Sequence, residues 1–192
     1  MRGKFLLGFL VFSLFSITCV SQEKEKKFGF ELSSGPAIAP RKLGGVTLNT
    51  GYGFEGIFRY RIVSFTDIYA GWGWNHFAAE NSFAGNNVSF EETGYVLGLQ
   101  CFQPIVEGVS VYIRGGALYN HIEIENESGE LLYDTGHGFG FQLATGIEIA
   151  IGLNWNLNSG IKLNSLNREI ESISTNLNLN HISMNIGIVK RF

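Results

Sequence analysis

Gly138-Phe139-Gly140-Phe141-Gln142-Leu143-Ala144-Thr145-Gly146-Ile147-Glu148-Ile149 is the stretch on which the fold turns. Phe139, Phe141, Leu143, Thr145, Ile147 and Ile149 fall on every second position, with Gly138, Gly140, Gln142, Ala144, Gly146 and Glu148 between them. A helix would scatter that alternation around its axis, whereas an extended strand sorts it onto two faces. The same period of two recurs in Phe28-Phe30-Leu32, Tyr52-Phe54-Gly56-Phe58-Tyr60, Ala70-Trp72-Trp74 and Tyr95-Leu97-Leu99-Cys101. It returns in Val111-Ile113-Gly115-Ala117-Tyr119, Trp155-Leu157-Ser159-Ile161-Leu163 and Ile182-Met184-Ile186-Ile188. Eight strands follow. Short links fall near 62–67, 103–108 and 152–154, and longer polar ones near 40–49, 78–91, 121–137 and 166–177. Three short turns alternating with four long loops predict an antiparallel up-and-down barrel with both chain ends on the short-turn side. A hairpin hidden at Val88-Ser89-Phe90 would raise the count to ten.

Which column faces outward decides between a water-soluble barrel and a membrane-spanning one. A water-facing column should be rich in lysine and glutamate. Instead, the column opposite the aromatics reads Gly53, Gly71, Gly73, Gly94, Gly98, Gly116, Gly138, Gly140, Gly146 and Gly160, and the 192 residues contain 25 glycines. Small residues suit the cramped interior of an eight-stranded barrel, where side chains just fill the lumen. The aromatic column carries no charge until Lys190, whose long side chain can reach an interface near the chain end. These features predict an all-β, eight-stranded antiparallel transmembrane barrel. With 16% charged and 14% aromatic residues and a formal charge of −3, the chain is neither a long disordered segment nor a basic nucleic-acid binder.

The inward column also holds acids and bases in matched numbers. Glu31, Glu55 and Glu148 stand against Arg59, Arg114 and Lys162, with Gln100, Gln142 and Asn156 beside them. Isolated charges in a low-dielectric lumen cost several kcal/mol, so the spacing predicts an ion-pair network that plugs it. Trp72, Trp74, Trp155, Tyr52 and Tyr119 are placed to form interface girdles, as are Tyr60 and Tyr95. At the other extreme of the chain, Arg2 and Lys4 precede an apolar run from Phe5 to Val20, and small residues close it at Cys19-Val20-Ser21. Residues 1–21 therefore read as a secretory signal, 22–27 as a short polar periplasmic segment and 28–192 as the barrel. Cleavage there would leave Cys101 as the single cysteine and exclude an internal disulfide.

The last strand, Ile182-Ser183-Met184-Asn185-Ile186-Gly187-Ile188-Val189-Lys190-Arg191-Phe192, alternates and ends on an aromatic residue. Phe192 so placed resembles the signal that outer-membrane barrels present to their assembly machinery, although Lys190 replaces the usual apolar residue. Together with Glu92-Thr93-Gly94-Tyr95-Val96-Leu97-Gly98-Leu99 and Asp134-Thr135-Gly136-His137-Gly138-Phe139-Gly140-Phe141, it makes residues 28–192 resemble the small outer-membrane β-barrels of Gram-negative bacteria, the OmpA-barrel, OmpX and OmpW type. The resemblance implies the outer membrane as location, periplasmic termini, lipopolysaccharide and the assembly machinery as partners, and a monomer. It does not fix an activity.

Motifs for chemistry are sparse. His76, His121, His137 and His181 lack HExxH or another tight ligand spacing, and Gly136-x-Gly138-x-Gly140 has no βαβ unit around it. No cofactor is implied. His181 and Ser183 share a face, similar to the catalytic pair of outer-membrane lipid A deacylases. Their parity puts them opposite the lipid-facing column, however, and no acid follows Glu171 to orient the histidine. The long connections hold nine acids against Arg41, Lys42 and Arg168, and Glu123, Glu125 and Glu127 alternate as a candidate for Ca²⁺ or Mg²⁺. The sequence thus favours a non-enzymatic membrane protein, structural or adhesive, acting through acidic outer loops. A porin-like small-solute channel and a lipid A-modifying enzyme are the alternatives.

Overall fold

The computed structural model describes residues 26–192; residues 1–21, read from sequence as a secretory signal, and residues 22–25 lie outside the described residues. Nine strands form one antiparallel sheet: β1 (Phe28–Ile38), β2 (Gly51–Val63), β3 (Thr66–Ser82), β4 (Gly85–Val106), β5 (Val109–Glu125), β6 (Leu131–Asp134), β7 (Gly138–Gly152), β8 (Trp155–Ile170) and β9 (Thr175–Arg191). Eight of them close a ring through β1–β9 pairing, from Gly29↔Arg191 to Ile38↔Ile182, and β6 is a short appendage on the upper part of β5. The ring is staggered. Following one lateral row from Arg61 through Asp67, Gln100, Arg114, Ala144, Lys162, Ser183 and Ala37 returns to β2 at Gly51, ten residues from its start. Shear of this kind is what tilts strands and fixes barrel width.

The two columns take the predicted faces. Phe139, Phe141, Leu143, Ile147 and Ile149 are exposed on the outside, as are Phe54, Phe58, Leu97, Ile113 and Ile186. Inward glycines do more than fill a narrow space. Tyr69 and Tyr112 point into the lumen, and a Cβ on Gly116 would stand 2.4 Å from the Tyr69 hydroxyl. A Cβ on Gly160 would stand 2.3 Å from the Tyr112 hydroxyl. The glycines of neighbouring strands seat these two phenols.

The long connections differ most from expectation. Residues 78–91 are not a loop: β3 and β4 run as one ladder to Asn81↔Asn86 and Ser82↔Gly85, leaving Phe83-Ala84 at the tip. Val88-Ser89-Phe90 is part of β4, so no extra hairpin arises and the ring has eight strands, not ten. Likewise β8 and β9 pair up to Ile170↔Thr175 around a 3-10 turn at Glu171–Ile173. The segment 121–137 splits into the end of β5, a turn and β6. These segments look polar because only one face is apolar. Phe77, Ala79, Val88, Phe90, Ile122, Ile124, Leu166, Ile170, Leu177 and Leu179 point inward and form a buried apolar core at the loop side of the barrel. Segment 39–50 remains irregular, but it folds over this core with Leu43, Val46 and Leu48 buried. The short turns narrow to 64–65, 107–108 and 153–154.

Candidate functional site

Three layers fill the barrel from the turn side upward. The lowest is ionic. Glu31 accepts from Arg114 Nη2 at 2.7 Å and Asn158 Nδ2 at 3.0 Å and also pairs with Arg59. Arg59 Nη1 donates to Glu148 at 2.7 Å, and Arg114 Nε donates to Gln100 at 2.8 Å. Glu55 receives Gln142 Nε2 at 2.8 Å and pairs with Lys162 at 3.2 Å and Arg114 at 3.6 Å. Thus the six charged residues singled out from the inward column, Glu31, Glu55, Arg59, Arg114, Glu148 and Lys162, are all buried and joined. The void left beside Glu31, Glu55, Arg114 and Lys162 is about 10 Å³, at the lower margin of what one water occupies. Sequence reasoning missed Asp67, which pairs with Arg61 and, at 2.8 Å, with Arg191; both flank segments read as a turn and a terminal signal.

The middle layer centres on His181. Its Nε2 is 2.8 Å from Glu92, which also accepts from Asn75 Nδ2 at 2.8 Å and from Asn120. Ser183 Oγ is 3.4 Å from His181 Nδ1. The histidine therefore does have an orienting carboxylate. It comes from β4 rather than from downstream sequence, which only the closed ring could reveal. His181 and Ser183 are buried inside the lumen and do not meet lipid. Above them Phe77 packs edge-on to His181 at 5.3 Å and opens the third layer, the apolar core.

The wall is incomplete beside that core. β7 leaves β5 at Asn120↔Gly138 and β8 at Gly140↔Leu166, and beyond these pairs β5 is bonded to β6 while Asn167–Ile170 pairs only with β9. Arg168 spans the seam. Its guanidinium donates to the carbonyls of Asn120 at 2.8 Å, Phe139 at 2.9 Å and Gly138.

On the outside, Trp72, Trp74, Tyr52 and Tyr119 cluster toward the loop side, with Tyr52 and Trp74 in contact at 5.5 Å. Trp155 lies at the turn side under the Lys190 ammonium, 4.7 Å from its ring centre. Phe192 exchanges backbone hydrogen bonds with Phe28 at 2.9 and 3.1 Å, so the terminal aromatic sits at the ring's closing seam.

Beyond the loop-side aromatics runs one lateral row: Tyr52, His76, Glu91, Glu123, Asp134, from β2 across to β6. Glu91 accepts from Trp74 Nε1 at 2.8 Å and lies 3.1 Å from His76 Nδ1. His121 Nδ1 is 3.1 Å from Asp134 and 4.0 Å from Glu123, and its ring stacks on His137 at 4.2 Å. Of Glu123, Glu125 and Glu127, the first two stand together on β5 and their near partner is Glu91; Glu127 is exposed in the following turn.

A family model described as "Outer membrane protein beta-barrel domain" matches residues 7–192. No curated relative matches the sequence. Among solved structures, the chain is similar to Neisserial surface protein A, at 14% identity over 86% of this chain and 96% of that one, with a TM-score of 0.64. It is also similar to Ail, the attachment invasion locus protein of Yersinia pestis, at 16% identity over 86% and 99%, with a TM-score of 0.52. OprG from Pseudomonas aeruginosa aligns at 13% identity over 88% and 97%, with a TM-score of 0.54. At such identities the likeness is one of fold.

Proposed function

Since the chain belongs to the outer membrane protein beta-barrel family, we propose that it is a closed, non-enzymatic barrel of the outer membrane that acts through its outer surface. Its termini lie toward the periplasm, and its loop-side extension meets lipopolysaccharide or a partner surface. Attachment is in the name of one structural neighbour, Ail. The observation that carries the reading is double closure of the lumen, by the ion-pair layer below and by the apolar core with Leu43, Val46 and Leu48 above. A solute would have to break charged hydrogen bonds in one layer and unpack the other.

Conductance of the purified protein in planar bilayers tests this. Silence is the expected record, and steady open channels would replace the reading with a small-solute channel. The lipid A-modifying alternative is disfavoured by where His181 and Ser183 sit, since an acyl chain in the bilayer cannot reach a buried lumen hydroxyl. Incubation with lipid A should release no fatty acid. Release that disappears in Ser183→Ala would reinstate the enzyme.

A further inference from the structure

Three carboxylates stand directly opposite one another on the outer face, Glu91 on β4, Glu123 on β5 and Asp134 on β6. Like charges in lateral register destabilise a sheet. The ion pairs these acids make among the described residues run to His76 and His121, not to lysine or arginine. Such a row calls for an external cation, and the nitrogen among its donors selects which kind.

We propose that His121 Nδ1, Glu123 and Asp134 form a binding site for a divalent transition-metal ion of the Zn²⁺ class. One ligand atom from each of the three lies within 4.8 Å of the other two, and His121 Nδ1 is already 3.1 Å from Asp134 and 4.0 Å from Glu123. Tetrahedral Zn²⁺ with bonds of about 2.0–2.2 Å separates its ligands by roughly 3.3 Å, so small side-chain rotations suffice. Ca²⁺ wants six to eight oxygens and would find here two carboxylates and a nitrogen. His137, stacked on His121 at an interplanar angle of 14°, restricts the His121 ring, and Tyr119 packs against His137 at 5.2 Å. Thr93 stands opposite His121 on β4. Three protein ligands leave a fourth position for water or an anionic oxygen. The site goes beyond the closed-barrel reading and does not depend on it, because it lies on the outer face.

The same residues account for why sequence spacing missed the site. His121 and Glu123 are two apart on one strand, and Asp134 reaches them only because β6 folds back on β5.

The test is calorimetric titration of ZnCl₂ into the purified, detergent-solubilised protein, with visible absorption of Co²⁺ as a second readout of nitrogen ligation. The expected result is saturation at one equivalent, weakened at least about tenfold in His121→Ala and in Asp134→Asn. Glu125→Gln, which changes only the neighbouring oxygen cluster, should leave the isotherm superimposable, and excess Ca²⁺ should not displace Zn²⁺. Heat-modifiable gel migration confirms that each variant is a folded barrel. Absence of binding overturns the proposal. So does affinity unchanged in folded His121→Ala, or a loss in Glu125→Gln as large as in Asp134→Asn.

Discussion

Glu31→Gln removes one charge from the centre of the ionic layer without changing its shape. The carboxylate now holds Arg59, Arg114 and Asn158. After substitution Arg59 keeps Glu148 at 2.7 Å, and Arg114 keeps Gln100 at 2.8 Å with Glu55 farther off at 3.6 Å. Removing one member of a buried ion pair costs about 3–5 kcal/mol when the partner is left alone. Because neither arginine is wholly abandoned, the lower end applies, about 3 kcal/mol, or roughly a hundredfold in the unfolding equilibrium. Urea unfolding of the protein refolded into lipid vesicles reads this directly, since Trp72 and Trp155 face outward and their emission reports departure from lipid. The midpoint should fall while the slope stays constant, as it does when stability changes without a change in exposed surface. Adding Arg59→Met should cost less than the sum of the two single changes, because both touch the same contact. A loss below about 1 kcal/mol, with strict additivity, would refute the reasoning: it would mean that water inside the lumen solvates these charges as well as they solvate each other.

Other outcomes follow from single contacts. Gly160→Ala drives a methyl group into the Tyr112 hydroxyl and the Thr145 carbonyl and should destabilise by about 1–3 kcal/mol, whereas Gly56→Ala on the outer face meets nothing within 4 Å and should be close to neutral in the same urea assay. Leu43→Ala should cost about 2–5 kcal/mol of local stability, seen as faster hydrogen exchange across 39–50 with the ladders of the lower barrel unchanged. Arg168→Met strips donors from four backbone carbonyls and should raise exchange at neighbouring amides of β5 and β7, with protection at Gly146 and Ile147 retained.

Period-two alternation made the ring and its faces legible, because lipid on one side and a crowded lumen on the other leave each strand two unlike columns. Six of the buried charges, Glu31, Glu55, Arg59, Arg114, Glu148 and Lys162, announced themselves by parity, whereas Asp67, Glu92 and Arg168 did not. Nor did the pairing. Which acid meets which base depends on the ten-residue stagger, so Arg114 reaches Glu31 from strands that are far apart in sequence, and Glu92 reaches His181 across 89 positions. The strand extensions were hidden for a different reason. Above the membrane the outer face is wet and the inner face apolar, so Phe77, Val88, Phe90, Ile122 and Ile124 interleave with polar residues and the whole segment has the composition of a loop. Segment 39–50 combines Arg41 and Lys42 with Leu43, Val46 and Leu48, and only the apolar core it covers tells the two sets apart.

The β3–β4 hairpin gives the loop side of the barrel something a flexible loop could not. β4 has 22 residues, of which about 9–11 are needed to cross the hydrocarbon, and the remainder continues the same ladder outward at about 3.4 Å per residue. The tip at Phe83-Ala84 is therefore the far end of a stiff mast whose base is the barrel wall. A pull along the mast loads many ladder hydrogen bonds side by side, in shear, before any one of them can open. Tension applied to the tip would be carried into the membrane by the wall itself, with no flexible tether in between to stretch first.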